Sequence, residues 1–337
     1  MLNVGVIGLG SMGNTHLDAY SKLSTVQVVA ISDANLDRLH GKAKAAGNIE
    51  GQAKGAFDLS QARKYPEGMD LIADPQIDIV DICLHTPLHF KYARAALAAG
   101  KHVLLEKPIC RTVADAEALV KLADASGKKF MVAQCMRFWP GWNWLKDAVA
   151  NQTYGKVLGA HFRRVSSHPG GPFYESAEQC GGAILDLHIH DTDFINHLFG
   201  KPKSVTSFGY SSITTAVDHV FTHYHYDNIP LVVAEGGWCM AKGFGFTMQY
   251  TINFQNATAI YDLGAAEKLT VVVPGQKPAP IPLDPRMGYE LEIAYFIDCV
   301  NKGVSPTVST GQTSLDSLRI VEAEVQSVAT GKTVAVA

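Results

Sequence analysis

None of the apolar runs in these 337 residues approaches the length of about 20 that a membrane-spanning helix needs. An excess of either charge is also missing: 29 Lys and Arg stand against 32 Asp and Glu, a formal net charge of −3. No broad cationic field is there to hold nucleic acid or an anionic membrane surface, and there is no helix-turn-helix signal. The six cysteines, Cys83, Cys110, Cys135, Cys180, Cys239 and Cys299, form no C-x-x-C pair. They read as reduced thiols of a cytoplasmic protein, not as a disulfide or zinc framework. Repeats, low-complexity tracts and long charge blocks are lacking too. The first residues, LNVGVIG, already read as a strand, so no signal peptide is expected. What is present is an ordinary globular composition, 47% hydrophobic and 18% charged, in a chain long enough for two domains.

That opening strand runs into Gly8-Leu9-Gly10-Ser11-Met12-Gly13, and THLDAYSKL continues with helical periodicity. Strand, G-x-G-x-x-G turn and helix make a phosphate-binding corner. Gly8 permits the tight turn, Gly10 leaves room for a pyrophosphate against the backbone, and Gly13 lets the helix pack on the strand. Ser11 and Met12 stand at the helix start, whose N–H groups and partial positive charge suit phosphates. VQVVAISD then ends at Asp33, about 20 residues past the last glycine, where dinucleotide folds place the acid that binds the adenine ribose. Asp33 favours NAD over NADP, since a carboxylate repels a 2′-phosphate, while Arg38 one helical turn on keeps NADP open. A plain α/β turn beside a solvated acid is the alternative.

IDIVDICL (77–84), HVLLEKP (102–108) and KFMVAQC (129–135) are further strand-like runs. Helical HFKYARAALAAG, stopped at Gly100, and TVADAEALVKLADASG, opened by Thr112, lie between them. Such alternation predicts a parallel, doubly wound sheet. The rhythm changes after about residue 136. Several strand-like stretches then follow with one helix, about 182–199, among them, and helices at about 288–302 and 313–330 close the chain. Consecutive strands predict an antiparallel sheet. The expected architecture is α/β: a Rossmann domain over 1–125 and an α+β domain on a mostly antiparallel open sheet over 126–337. The stretch 40–75 carries the weakest pattern.

Lys107 follows a strand directly, in Glu106-Lys107-Pro108, where open α/β sheets bind ligands. Its ammonium could stabilise negative charge developing on a substrate oxygen, and Pro108 would stiffen the turn. A surface lysine is the alternative. Asp186 and His190, at i and i+4 in CGGAILDLHIHDTDF, share a helix face. A carboxylate beside an imidazole raises its pKa and fixes its tautomer, the usual preparation of a general acid or base. A polar pair solvating the helix is the alternative. His219, His223 and His225 share strand parity, which suits a sheet face or interface better than a metal. Arg137 with Trp139, Trp142 and Trp144 would suit a carbohydrate pocket or, equally, a hydrophobic hinge. His85 is a candidate to line the nicotinamide pocket beside Thr86, while His89 opens the next helix.

Together GLGSMG, Asp33, DICLHTPLH, AGKHVLLEKP, Arg137-Phe138 and GGAILDLHIHDTD resemble the Gfo/Idh/MocA oxidoreductases, in the family's order and across both domains. The resemblance implies catalytic roles for Lys107, Asp186 and His190. It implies that Asp193 binds substrate or orients the helix. Thr86, Glu106 and Lys107 join the cofactor-binding set with Gly8, Gly10, Ser11, Met12, Gly13, Asp33 and Arg38; His85, Arg137, Trp139, His168 and Asp193 form the substrate-binding set. No metal is expected. The implied reaction is NAD-dependent oxidation of a secondary alcohol on a sugar or cyclitol, by a homodimer or homotetramer. Two alternatives share the fold: an NAD-retaining glycosidase with no net redox change, and a non-catalytic NAD-binding regulator.

Overall fold

A computed structural model describes residues 1–42 and 59–337. Part of the weakly patterned stretch 40–75 thus lies outside the described residues. By their contacts these residues form two compact units, 1–135 with 287–315 and 136–286 with 316–337. The boundary expected at 125 would fall in the last turn of a helix, and the compact unit includes the strand after it.

The first unit runs β1 (Leu2–Ile7), α1 (Ser11–Ser21), β2 (Val26–Ser32), α2 (Leu36–Leu39), β3 (Arg63–Tyr65), α3 (Gly68–Ala73), β4 (Ile79–Ile82), α4 (His89–Ala98), β5 (His102–Glu106), α5 (Val113–Ser126) and β6 (Phe130–Ala133). The strands are parallel, in the order β3-β2-β1-β4-β5-β6. Every residue of β4 is buried, as a strand covered on both faces requires. Thr112 caps α5 by accepting the Asp115 N–H, and Gly127 ends it at φ 67°. The order reverses between β1 and β4, and ligands of such sheets bind at that switch point.

The second unit holds α6 (Trp142–Ala150), β7 (Val157–Ser167), α7 (Pro172–Glu175), α8 (Ala177–Cys180), a π-helical turn (Ile184–His188) and α9 (Ile189–Phe199). There follow β8 (Ser204–Tyr210), β9 (His219–His225), β10 (Leu231–Met240), β11 (Phe246–Phe254), β12 (Thr258–Asp262), β13 (Leu269–Val272) and β14 (Ala279–Pro280). Then come α10 (Gly288–Lys302), α11 (Gly311–Thr330) and β15 (Val334–Ala335). The sheet order is β14-β13-β12-β11-β7-β10-β9-β8-β15, antiparallel except where β10 runs parallel to β7. Although late in the chain, α10 belongs to the first unit and packs on α1.

The core of the second unit is aromatic. Trp142 is fully buried, edge-on to Phe194, Tyr250 and Tyr261, with the Arg164 guanidinium 5.3 Å over its ring. Such pairs add to the large apolar area these side chains bury. The strand–helix alternation breaks around Pro140, and α6 begins two positions on, after Gly141 takes φ 91°.

Candidate functional site

In the first unit the glycine turn meets the sheet through β2 and β4. Gly8 donates to Ser32 O at 2.8 Å and Cys83 donates to Ile7 O at 2.8 Å. Gly8 has φ 95°, and a Cβ there would strike the Cys83 carbonyl; one on Gly13 would strike the Gly8 carbonyl. Both positions therefore demand glycine. Gly10 differs: nothing lies within 4 Å of the place its Cβ would occupy. This open space above the turn fits a bound pyrophosphate. No side chain caps α1, on which Ser11 and Met12 are the first two residues.

Asp33, buried at the end of β2, braces this corner. Its Oδ2 accepts the Leu9 N–H at 2.8 Å and its Oδ1 the Asn35 N–H at 2.7 Å. Arg38 reaches to 3.8 Å from Asp33 Oδ2 and stays exposed. Thr86, buried, opens a 3₁₀ turn after β4, and His85 before it is exposed. Glu106 is buried; Oε2 accepts the Lys107 N–H at 3.0 Å and Oε1 lies 3.1 Å from His16 Nε2. Both carboxylate oxygens thus face protein donors. Lys107 itself is half-buried between buried neighbours.

In the second unit, burial sorts the residues of Ile184–Phe199. His188, Asp191, Thr192 and Asp193 are fully buried, whereas Asp186 and His190 are half-buried. His188 Nε2 lies 3.1 Å from Tyr224 Oη and 3.4 Å from Glu324, and Asp191 takes a two-pronged contact from Arg164. The expected carboxylate–imidazole couple is thus less buried than these neighbours, as are Asn196 and His197 further along the helix. The first part is π-helical, with i→i+5 bonding, a form that recurs at functional sites.

Residues 2–134 match the family described as "Oxidoreductase family, NAD-binding Rossmann fold", and residues 142–260 match the GFO/IDH/MocA C-terminal domain. The chain belongs to the Gfo/Idh/MocA family. It is similar to myo-inositol 2-dehydrogenase of Thermotoga maritima, 31% identical over 59% of this chain and 55% of that one. It is also similar to inositol 2-dehydrogenase of Salmonella typhimurium, 26% identical over 98% of this chain and 96% of the other. Among solved structures, levoglucosan dehydrogenase in complex with NADH and levoglucosan superposes with a TM-score of 0.87 at 20% identity, covering 99% of each chain. The first unit is therefore an NAD-binding Rossmann domain and the chain an oxidoreductase of this family. No helix among the described residues is long and apolar enough to cross a membrane.

Some residues of the expected substrate-binding set sit inside the second unit. Arg137 and Asp193 are paired with each other, Nε to Oδ2 at 2.8 Å and Nη2 to Oδ1 at 2.6 Å, both buried, with Ser317 donating to Asp193 at 2.8 Å. Trp139 is buried and donates Nε1–H to Tyr261 at 3.1 Å. Trp142 is fully buried as well, while Trp144 is half-buried. His168 is half-buried with its ring edge-on to Trp238 at 5.3 Å, and Gly170 donates to its Nδ1 at 3.1 Å.

Sequence reasoning missed three residues near Lys107: His16, Asp81 and Glu292, all fully buried. A signal for one existed, since Asp81 interrupts the apolar run IDIVDICL, whose strand has no polar face to offer. It also missed Asp218, which accepts three backbone N–H groups from 212–214, the Thr214 hydroxyl and the Trp238 indole. These donors hold its carboxyl below the usual range despite burial.

Proposed function

We propose that this chain is an NAD-dependent dehydrogenase acting on a CH–OH group of a sugar or cyclitol. The observation that carries the reading is the sorting of the Ile184–Phe199 helix. His188, Asp191 and Asp193 are buried in internal pairs, whereas Asp186 and His190 are half-buried within one turn of each other, with His197 half-buried two turns on. The names of relatives, inositol dehydrogenases and a levoglucosan dehydrogenase, support the substrate class.

NAD, when bound, supplies the hydride acceptor. The protein's part is proton handling and charge. His190 takes the hydroxyl proton of the substrate alcohol, and Asp186 orients the ring and stabilises its charged form. Lys107 donates to a substrate oxygen and stabilises its developing charge. Asp33 selects the unphosphorylated ribose. Arg137 and Asp193, matched to each other, hold α9 in place and do not touch substrate. His85 and His168 remain the candidates for contact with substrate hydroxyls.

A panel of cyclitols and sugars assayed with NAD and with NADP tests this reading. The expected outcome is NADH accumulating in solution, followed by its near-ultraviolet absorbance, with at least one cyclitol or sugar. Glycoside cleavage without accumulation of NADH would assign the chain to the NAD-retaining glycosidases. NAD binding with neither reaction across the panel would favour a regulator.

A further inference from the structure

Beneath the glycine turn lies a cluster of polar side chains that this chemistry does not use. His16 of α1 is fully buried, with Nδ1 2.9 Å from Asp81 Oδ2 on β4 and Nε2 3.1 Å from Glu106 Oε1 at the end of β5. Tyr20 donates its hydroxyl to the same Asp81 oxygen at 2.9 Å. Cys83 Sγ lies 3.4 Å from Asp81 Oδ1 and 3.4 Å from His16 Nδ1. Glu292 comes from α10, fully buried, and among the described residues nothing hydrogen-bonds either of its oxygens.

Each ring nitrogen of His16 meets a carboxylate oxygen, an arrangement that favours the doubly protonated ring. Burial opposes that charge, but Asp81 overcomes it and holds the ring well above the usual histidine range. Burial, and then the nearby Glu106 and Asp81, push Glu292 well above the carboxyl range against the pull of His16.

The contacts lead to one peptide. Glu106 binds His16 with one oxygen and accepts the Lys107 N–H with the other. On the far side of that peptide, His89 Nδ1 lies 2.7 Å from Pro108 O and its Nε2 2.8 Å from Leu84 O. The turn carrying Lys107 is thus held at both ends by contacts that run to buried histidines. His16 also stands on the helix that starts at the glycine turn. We propose that His16 is a positioning residue: it fixes Glu106, and through Glu106 the Lys107 peptide, so that the ammonium stays aimed at the substrate oxygen. This rests on the role proposed for Lys107 above.

Three variants of the full chain test it. His16→Gln keeps an amide donor toward Glu106, His16→Leu keeps none, and Glu106→Gln weakens the acceptor. Backbone amide exchange at Lys107, read by NMR without substrate, should speed up about tenfold in His16→Leu while Leu104 and Leu105 change little. His16→Gln should fall between His16→Leu and wild type. On the best substrate of the panel, kcat should fall about tenfold or more in the same order while NAD affinity stays within about threefold. Unchanged exchange at Lys107 overturns the proposal. So does a uniform rise across the sheet, which would mean fold support alone. If His16→Leu does not fold, His16→Gln and Glu106→Gln decide by the same two readings. Lys107→Ala, run alongside, separates the two layers. Wild-type turnover there removes Lys107 from the chemistry, whereas loss of turnover with Lys107 exchange unmoved in the His16 variants removes His16 alone.

Discussion

Asp33 serves two structures with one carboxylate, the Leu9 N–H in the glycine turn and the Asn35 N–H that starts the next helix. Replacing it therefore loosens the turn as well as removing the ribose acceptor. Hydrogen bonds to charged groups are worth about 1.5–3 kcal/mol each. Asp33→Ala should thus raise the Kd for NAD by about tenfold or more. It should also narrow the gap to NADP, since Arg38 beside Asp33 would be left as the nearby charge; an unchanged NAD/NADP ratio by fluorescence titration would contradict this. His197 makes a second prediction. Burial, then Arg137 and Lys146, bring it down from 6.5 to about 4. Between those values the unfolded chain binds a proton that the folded chain does not, so stability falls as pH falls from 6.5 toward 4. The loss should be of order 1–3 kcal/mol in urea unfolding and largely absent in His197→Phe. Equal slopes in the two proteins would deny the effect. At this scale the glycine turn and Asp33 were legible because backbone geometry restricts which residues can stand there. The His16 cluster was not, because its members are far apart in the chain and each alone reads as an ordinary buried or surface residue.

The helix that carries Asp186 and His190 owes its place to what lies under it. Gly236 of β10 faces the His188 ring, and a Cβ there would come within 2.8 Å of His188 Cγ and closer still to Nδ1. Gly236→Ala should cost about 1–3 kcal/mol of stability through overpacking, measured by urea unfolding. It should also lower kcat more than it raises KM, since the π-helical turn would shift with the ring. A variant as stable and as active as wild type would show that the helix is not set by this contact. Helices with local stop signals read cleanly: α5 lies between Thr112 and Gly127, and α4 ends before Gly100 at φ 73°. The π-turn left no such mark, because the i, i+4 spacing of Asp186 and His190 looks the same in either helical form. For α6, Pro140-Gly141 only interrupts the strand–helix alternation in the sequence, while in the structure it precedes a helix start.

At the scale of the molecule, one face of the larger sheet carries exposed apolar side chains among polar ones. Strand register puts Phe208 opposite Phe221, and Leu231, Ile260 and Tyr210 share their face; all five are at least 40% exposed. His219, His223 and His225 lie on it too, as their shared parity predicted. We propose that copies of the chain meet on this face, since exposed apolar side chains gathered on one sheet face suit an interface. We expect light scattering to give a mass at least twice 36.4 kDa, and Phe208→Asp with Phe221→Asp to return the monomer. A monomeric wild type would contradict this.

The alternation of strand and helix followed by strands alone made both units legible, since it follows from which faces of a sheet must be covered. The return of α10 to the first unit was not, because nothing local in Gly288–Lys302 names its partner. The central claim is that this chain oxidises an alcohol with its own Lys107 and His190. Turnover of Lys107→Ala and His190→Ala at saturating NAD tests it most directly, with NAD affinity measured on the same samples. We expect kcat lower by about a thousandfold in each, with NAD Kd within about threefold of wild type. Near-wild-type turnover in either variant would contradict it.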